Sequence, residues 1–267
     1  MINIEEKREL GIKFFGDDNF IKSSEIFTDI VKHQKTDHNA WFYLGRCERE
    51  LKKFDDAIEC FNNAIDYFFD QHPANDENKS NKYLRSIITA YQNSLAVTYQ
   101  YKKEWTKALE IFFNLLKGQR SMHVLNSLGY TYSLMAEQSI DIDKNNKLGY
   151  VFDLQSLYFY EQADLAMYES WKNKNDRLIK EAKGSKTYSE KWEKDFIEKR
   201  KEELYEDNFY GVISYNLCEK SFDLKQYFKV LEFGVDALKN IGEKNYYFKS
   251  IYSLVQQAKL IIDNNDK

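Results

Sequence analysis

The side chains with chemical capacity are four histidines, three cysteines and an abundance of carboxylates. His33, His38 and His72 fall at predicted helix ends or loops, and His123 stands apart. His33 and His38 are five residues apart across a turn and have no cysteine partners, which does not match zinc-ligand spacing. Cys47 and Cys60 sit inside helical patterns, where a thiol acts as a small core filler. With Cys218 they are too few and too scattered for a disulfide framework. Asp141, Asp143 and Asn145 alternate as calcium ligands do. An EF-hand loop then needs Gly at its sixth position and Glu at its twelfth, and here those are Asn146 and Phe152. A solvated loop is the expectation. There is no glycine-rich phosphate loop and no G-x-S-x-G turn. No catalytic residue, no metal and no cofactor is assigned, and the chain is not expected to be an enzyme.

The elements that would position any site are helical. Among 267 residues there are ten glycines and a single proline, so few breakers interrupt long periodic stretches. The net charge of −4 lacks the basic surplus of a nucleic-acid binder. The start, MINIEEKREL, is polar and carries no secretory pattern. No apolar run is long enough to span a bilayer, so membrane insertion is not expected. A reducing, cytoplasmic setting fits the cysteine usage.

One stretch sets the pattern for the rest. Residues 41–64 place Trp41, Leu44, Gly45, Phe54, Ala57, Phe61 and Ala64 in order. Moving back 34 residues gives Leu10, Gly11, Phe20 and Phe27, with Ser23 for Ala57 and departures at Lys7 and Ile30. A third copy has Leu95, Ala96, Tyr99, Trp105, Ala108 and Phe112, and a fourth has Leu128, Gly129, Tyr132, Ser156, Tyr160 and Ala163. Small residues fall where two helices must pass closely, and the aromatics fill the space around them. This spacing resembles the tetratricopeptide repeat, a helix–turn–helix unit of about 34 residues. The resemblance implies an all-α fold: a right-handed superhelical stack of antiparallel helix pairs, an α-solenoid, ended by a C-terminal capping helix.

Along the chain, helix pairs are predicted at 4–16 with 20–34, 39–52 with 54–70, and about 80–102 with 105–117. A fourth pair runs from near Ser121 to Gln138 and from about 150 to 170. Repeats one to four thus cover 1–171, with insertions near 72–88 and 137–152. Residues 172–207 are dense in charge of both signs, with a break at Gly184-Ser185 and capping-box spacing at Thr187 and Glu190. They read as a solvated helical insertion, stabilised by neighbouring opposite charges. Residues 208–267 hold a degenerate fifth repeat, with Gly234 at the aromatic position, and a last amphipathic helix over Lys244–Ile262 carrying Tyr247, Ile251, Leu254 and Ala258.

In proteins of this family the first helices of successive repeats line a concave groove that takes a peptide from another protein. Carried onto this chain, groove positions are Arg8, Ile12 and Phe15; Phe42, Arg46 and Arg49; Asn93, Val97 and Gln100; and Asn126, Tyr130 and Ser133. Ile12, Phe42 and Val97 stand where the clamp for acidic chaperone tails would need polar groups. Arginine with aromatic and aliphatic neighbours instead fits a peptide segment with acidic and apolar residues. The expected function is a non-enzymatic adaptor or scaffold for protein–protein interaction. A chaperone for an export substrate and a peptide-sensing regulator are the alternatives.

Overall fold

A computed structural model describes residues 3–73, 75, 81–118, 121–140, 147–183, 188–206 and 208–265. Within them the chain is all-helical, as expected. The helices are α1 (Ile4–Gly16), α2 (Phe20–His33), α3 (His38–Glu50), α4 (Phe54–Gln71), α5 (Lys82–Tyr101) and α6 (Trp105–Gly118). They continue as α7 (Met122–Ile140), α8 (Lys147–Ala182), α9 (Glu190–Glu206), α10 (Asn208–Asp223), α11 (Tyr227–Asn240) and α12 (Phe248–Asn265). The chain divides into two compact units, Met1–Gln119 and Arg120–Lys267.

The helix pairs are closed by one turn used four times. Asp18, Lys52, Lys103 and Lys225 have φ of 56°, 62°, 61° and 58°, the left-handed region. Each N–H bonds back to a carbonyl three residues earlier: Phe15, Arg49, Gln100 and Phe222. The next N–H reaches five back, from Asn19 to Phe14, Lys53 to Glu48, Glu104 to Tyr99 and Gln226 to Ser221. This pairing satisfies the carbonyls orphaned at a helix end and reverses the chain in a few residues. Glycine would adopt the conformation without strain, and none of the four positions has it. Lys225 puts the fifth repeat in the same register as the other three.

Between the paired helices, the small residue of the first meets the aromatic of the second. A Cβ on Gly11 would lie 2.9 Å from Phe27, on Gly45 2.9 Å from Phe61, and on Gly129 2.6 Å from Tyr160. In repeats one and four a hydroxyl stands where repeat two has Ala57. Ser23 Oγ donates to the Gly11 carbonyl at 2.9 Å, and Ser156 Oγ to the Gly129 carbonyl at 2.8 Å. The fifth repeat inverts the contact. Buried Cys218 replaces the small residue and Gly234 replaces the aromatic. A Cβ on Gly234 would come within 2.3 Å of Val255 Cγ2 and 3.2 Å of Cys218 Sγ. The terminal helix α12 therefore fills the space that the missing ring leaves.

In the first unit, Phe27, Ile30, Val31, Ala40, Leu44 and Cys47 form one buried cluster, and Ala57, Phe61 and Leu95 another. Ala64, Phe68 and Tyr91 close a third. In the second unit α7 packs along α8, and α10, α11 and α12 pack on one another, with Leu128, Tyr160, Ile213, Leu217, Val230 and Ile251 almost wholly buried.

Several bounds differ from the sequence expectation. Helix α8 continues to Ala182 instead of ending near 170, because Asn175 and Ile179 are still buried. Trp171 Nε1 also donates to the Arg200 carbonyl of α9 at 2.9 Å. The last helix begins at Phe248, not Lys244, and buries Ile251, Val255 and Ala258. The Asp141–Asn146 loop and the Gly184-Ser185-Lys186-Thr187 segment lie outside the described residues.

Candidate peptide-binding face

In the first unit the three first helices, α1, α3 and α5, lie side by side. Between α1 and α3, the expected groove positions Phe15 and Phe42 meet at Arg46. Its guanidinium sits over the Phe15 ring at 4.2 Å, with Tyr43 at 5.6 Å and Phe42 at 5.7 Å. A cation over ring faces is attracted by their quadrupoles, by about 0.5–2 kcal/mol depending on desolvation. Burial among the rings, above all, pushes Arg46 below its ordinary pKa range, and neighbouring Arg49 adds to the shift. Among the described residues, no acidic side chain forms a salt bridge with Arg46. Arg49 pairs with Glu50 at 3.0 Å.

Other expected groove residues are committed to the scaffold. Arg8 Nη2 donates to Asp37 Oδ2 at 2.5 Å and also pairs with Glu5. Burial opposes its charge, but Asp37 and Glu5 together hold Arg8 above the ordinary range. Asp37 is at the same time the N-cap of α3, its side chain accepting from the Ala40 N–H at 3.0 Å. Phe42 packs on Tyr91 of α5 at 4.6 Å between centroids and on Phe61 at 5.9 Å. Gln100 is buried, and Asn93 and Val97 are half-buried. Asn93 Oδ1 is enclosed without a hydrogen-bond partner. Ile12, 38% exposed, remains open beside Phe15 on α1.

In the second unit, Tyr130 of α7 is 45% exposed and Ser133 is half-buried. Asn126 Oδ1 accepts from Asn216 Nδ2 of α10 at 3.1 Å, which ties the first helices of repeats four and five together. The structure thus brings Phe15, Phe42 and Arg46 into one cluster. Asn126 and Tyr130 belong to the other unit.

Sequence reasoning missed Tyr43, which stacks on Phe27 at 5.1 Å and meets Phe15 edge-on at 6.2 Å. Its place next to Phe42 in a strongly aromatic helix was the available signal. It also missed the second role of Asp37, although an acid immediately before a helix is a recognisable capping signal.

The thiols are poor nucleophiles. Burial pushes Cys47 up to about 11, and Cys60 and Cys218 up to about 12. No group of three His, Cys, Asp or Glu side chains converges on a metal position among the described residues. No helix among them is long and apolar enough to cross a membrane.

The family model of the tetratricopeptide repeat matches residues 38–70, the α3–α4 pair. Among solved structures, the chain is similar to putative kinesin light chain TPR-like repeats of Podosopora anserina. The identity is 11%, all of both chains is covered and the TM-score is 0.51. A thermophilic tetratricopeptide-repeat protein of Thermus thermophilus matches at 12% identity over 97% of this chain and 100% of that one, with a TM-score of 0.49. No curated protein matches the chain. Residues 38–70 thus form a tetratricopeptide repeat, and the described helices have the fold of a stack of such repeats.

Proposed function

We propose that this chain is a non-enzymatic adaptor that takes a peptide segment of another protein along the first-helix face of its first unit. The fold is one that scaffolds protein–protein contacts. The observation that carries the finer reading is Arg46, held over Phe15, Phe42 and Tyr43. A guanidinium held over rings, in no salt bridge among the described residues, is preorganised for a carboxylate, and the rings and Ile12 supply apolar contact. The ligand in this reading is a segment that carries acidic and apolar residues. Val97 and Asn93 extend the face along α5, and Asn126 and Tyr130 offer a second contact row on the other unit. Arg8 serves to join α1 to α3 in this reading. A cytoplasmic location is part of the proposal and agrees with three buried, unpaired thiols.

The test is fluorescence polarisation against an array of short peptides varying acidic and apolar content. Acidic–apolar peptides should bind best and weaken with salt. Arg46→Gln combined with Ile12→Asn should weaken binding by about tenfold or more, since central anchors dominate such interfaces. Changing Phe42 is a poorer choice, because it also opens the core against Tyr91. Full retention in the Arg46/Ile12 variant, with loss on altering 188–206, would refute the groove reading.

A further inference from the structure

His38 has no part in the groove, yet it sits at the junction of repeats two and three. It opens α3 as the first helical residue after the Asp37 cap. Its Nδ1 lies 2.8 Å from the hydroxyl of Tyr91 on α5, a residue only 2% exposed. The same hydroxyl donates to Asn39 Oδ1 at 2.6 Å. A phenol has one proton, so its oxygen accepts from His38 Nδ1–H, and the neutral imidazole keeps its lone pair on Nε2. This chain of two bonds ties the start of α3 to α5. The half-buried imidazole stands in a cage of rings. Phe68 of α4 is edge-on at 5.4 Å, Tyr91 is at 5.8 Å, and His72, the C-cap of α4, is at 6.1 Å.

A second proton on this ring is poorly placed. It adds positive charge at the N-terminus of α3, where the helix dipole disfavours a cation. Among the described residues, Arg8 faces it from α1, His72 from the end of α4 and the Tyr91 hydroxyl from α5. Arg8 repels the charge, and so does His72 whenever that ring is protonated. Asp37 attracts it, but the Asp37 oxygens already serve Arg8 and the Ala40 N–H. Burial, above all, pushes His38 below its ordinary pKa; His72 and Arg8 add to the shift and Asp37 opposes it.

We propose that His38 is a pH-sensitive latch between repeats two and three, holding α3 against α5 while neutral and releasing that junction in mild acid. The fold favours the neutral ring. Its stabilisation is complete above the ordinary histidine range and is lost as the pH falls from about 6.5 into the depressed range. Tyr91 also backs Phe42, with ring centroids 4.6 Å apart, and Phe42 is 5.7 Å from the Arg46 guanidinium. Release therefore loosens one wall of the Arg46 face. That consequence rests on the groove reading, whereas the latch itself does not.

The test of the latch uses the full chain without ligand: imidazole titration by NMR, and amide hydrogen exchange at about pH 7.5 and 5.5 corrected for intrinsic exchange. His38 should titrate below the ordinary range. Protection in α3 and α5 should fall about threefold or more at the lower pH, relative to α10 and α11. His38→Asn keeps an N–H donor where Nδ1 stands and cannot titrate, so it should abolish that difference. His72→Asn leaves the latch in place and removes a neighbouring charge. It should raise the His38 midpoint toward the ordinary range and shrink the loss of protection, which decides the matter even where His38→Asn folds poorly. A His38 that titrates in the ordinary range overturns the proposal. So does equal protection at the two pH values, or a loss that persists in His38→Asn. Peptide affinity is read separately. Weakening at pH 5.5 that vanishes in His38→Asn supports the coupling to the Arg46 face, and peptides that bind at neither pH refute the groove and leave the latch standing.

Discussion

Helices α4 and α8 hold the same place in their repeats and face water in opposite ways. Toward the core they follow one pattern: Ala57, Phe61 and Ala64 in α4, and Ser156, Tyr160 and Ala163 in α8, all buried. Away from it, α4 exposes Asp55, Asp56, Glu59, Asn62, Asp66 and Asp70 with a single large apolar side chain, Phe69, whereas α8 exposes Val151, Leu154, Tyr158, Leu165 and Tyr168 among polar residues such as Gln155 and Glu169. The repeat pattern constrains only the side that must pack. The outer side is free to differ, so a difference there points to a contact outside the unit and not to the fold.

The sharpest way to break the comparison is at the shared ring. Phe61→Ala and Tyr160→Ala should each cost about 3–5 kcal/mol, by lost burial and a residual cavity. Differential scanning calorimetry should show each substitution lowering the melting of its own unit more than the other's. Equal shifts of one single transition would mean that the two units unfold together.

Ala57→Leu should cost about 1–3 kcal/mol in chemical denaturation, because α3 and α4 have no room for the added atoms. An unchanged midpoint would contradict the close approach described for the second repeat.

A titrating carboxylate sets α8 apart from α4 as well. Burial, with nearby Asp236, pushes Asp164 of α8 up to about 6. The fold then favours its neutral form. It is unpenalised below the ordinary carboxylate range, and the penalty grows as pH rises from there through about 6. Asp164→Asn should therefore stabilise at pH 7.5 by on the order of 1–2 kcal/mol, discounted for partial exposure, and give no gain near pH 4. Melting curves at the two pH values decide it, and a gain equal at both would discard the titration account.

The smallest effect is expected at the turns. Lys52→Gly should stabilise by about 0.5–1 kcal/mol, since the left-handed conformation strains a side chain that glycine lacks. Lys225→Gly should do the same in the second unit. A loss of stability at either site, read from denaturant midpoints, would show that the aliphatic stem of the lysine contributes more than the strain removes.

Much of the scaffold was legible because it repeats. Leu10 with Gly11, Leu44 with Gly45, and Leu128 with Gly129 stand in one register with Phe27, Phe61 and Tyr160, and local periodicity carries that information. The face of Arg46 was legible only as a set of positions. Nothing in the spacing says that Arg8 is taken by Asp37, or that Phe42 leans on Tyr91, because those partners arrive from other repeats or helices; only Glu5, three residues before Arg8 on α1, was within reach of the spacing. Helix α8 was read too short for the same reason: Asn175 and Ile179 look polar-flanked in sequence and are buried by α9 in space.

By itself the sequence determined the helix pairs, their order and the small-against-large contact inside each pair, since these follow from side-chain size at fixed intervals. Tertiary structure decided the rest. It placed Arg46 among three rings, filled the gap at Gly234 with Val255 from the last helix, and left the apolar side of α8 open. Contacts of that kind join residues far apart in the chain, so their geometry exists only once the helices have packed.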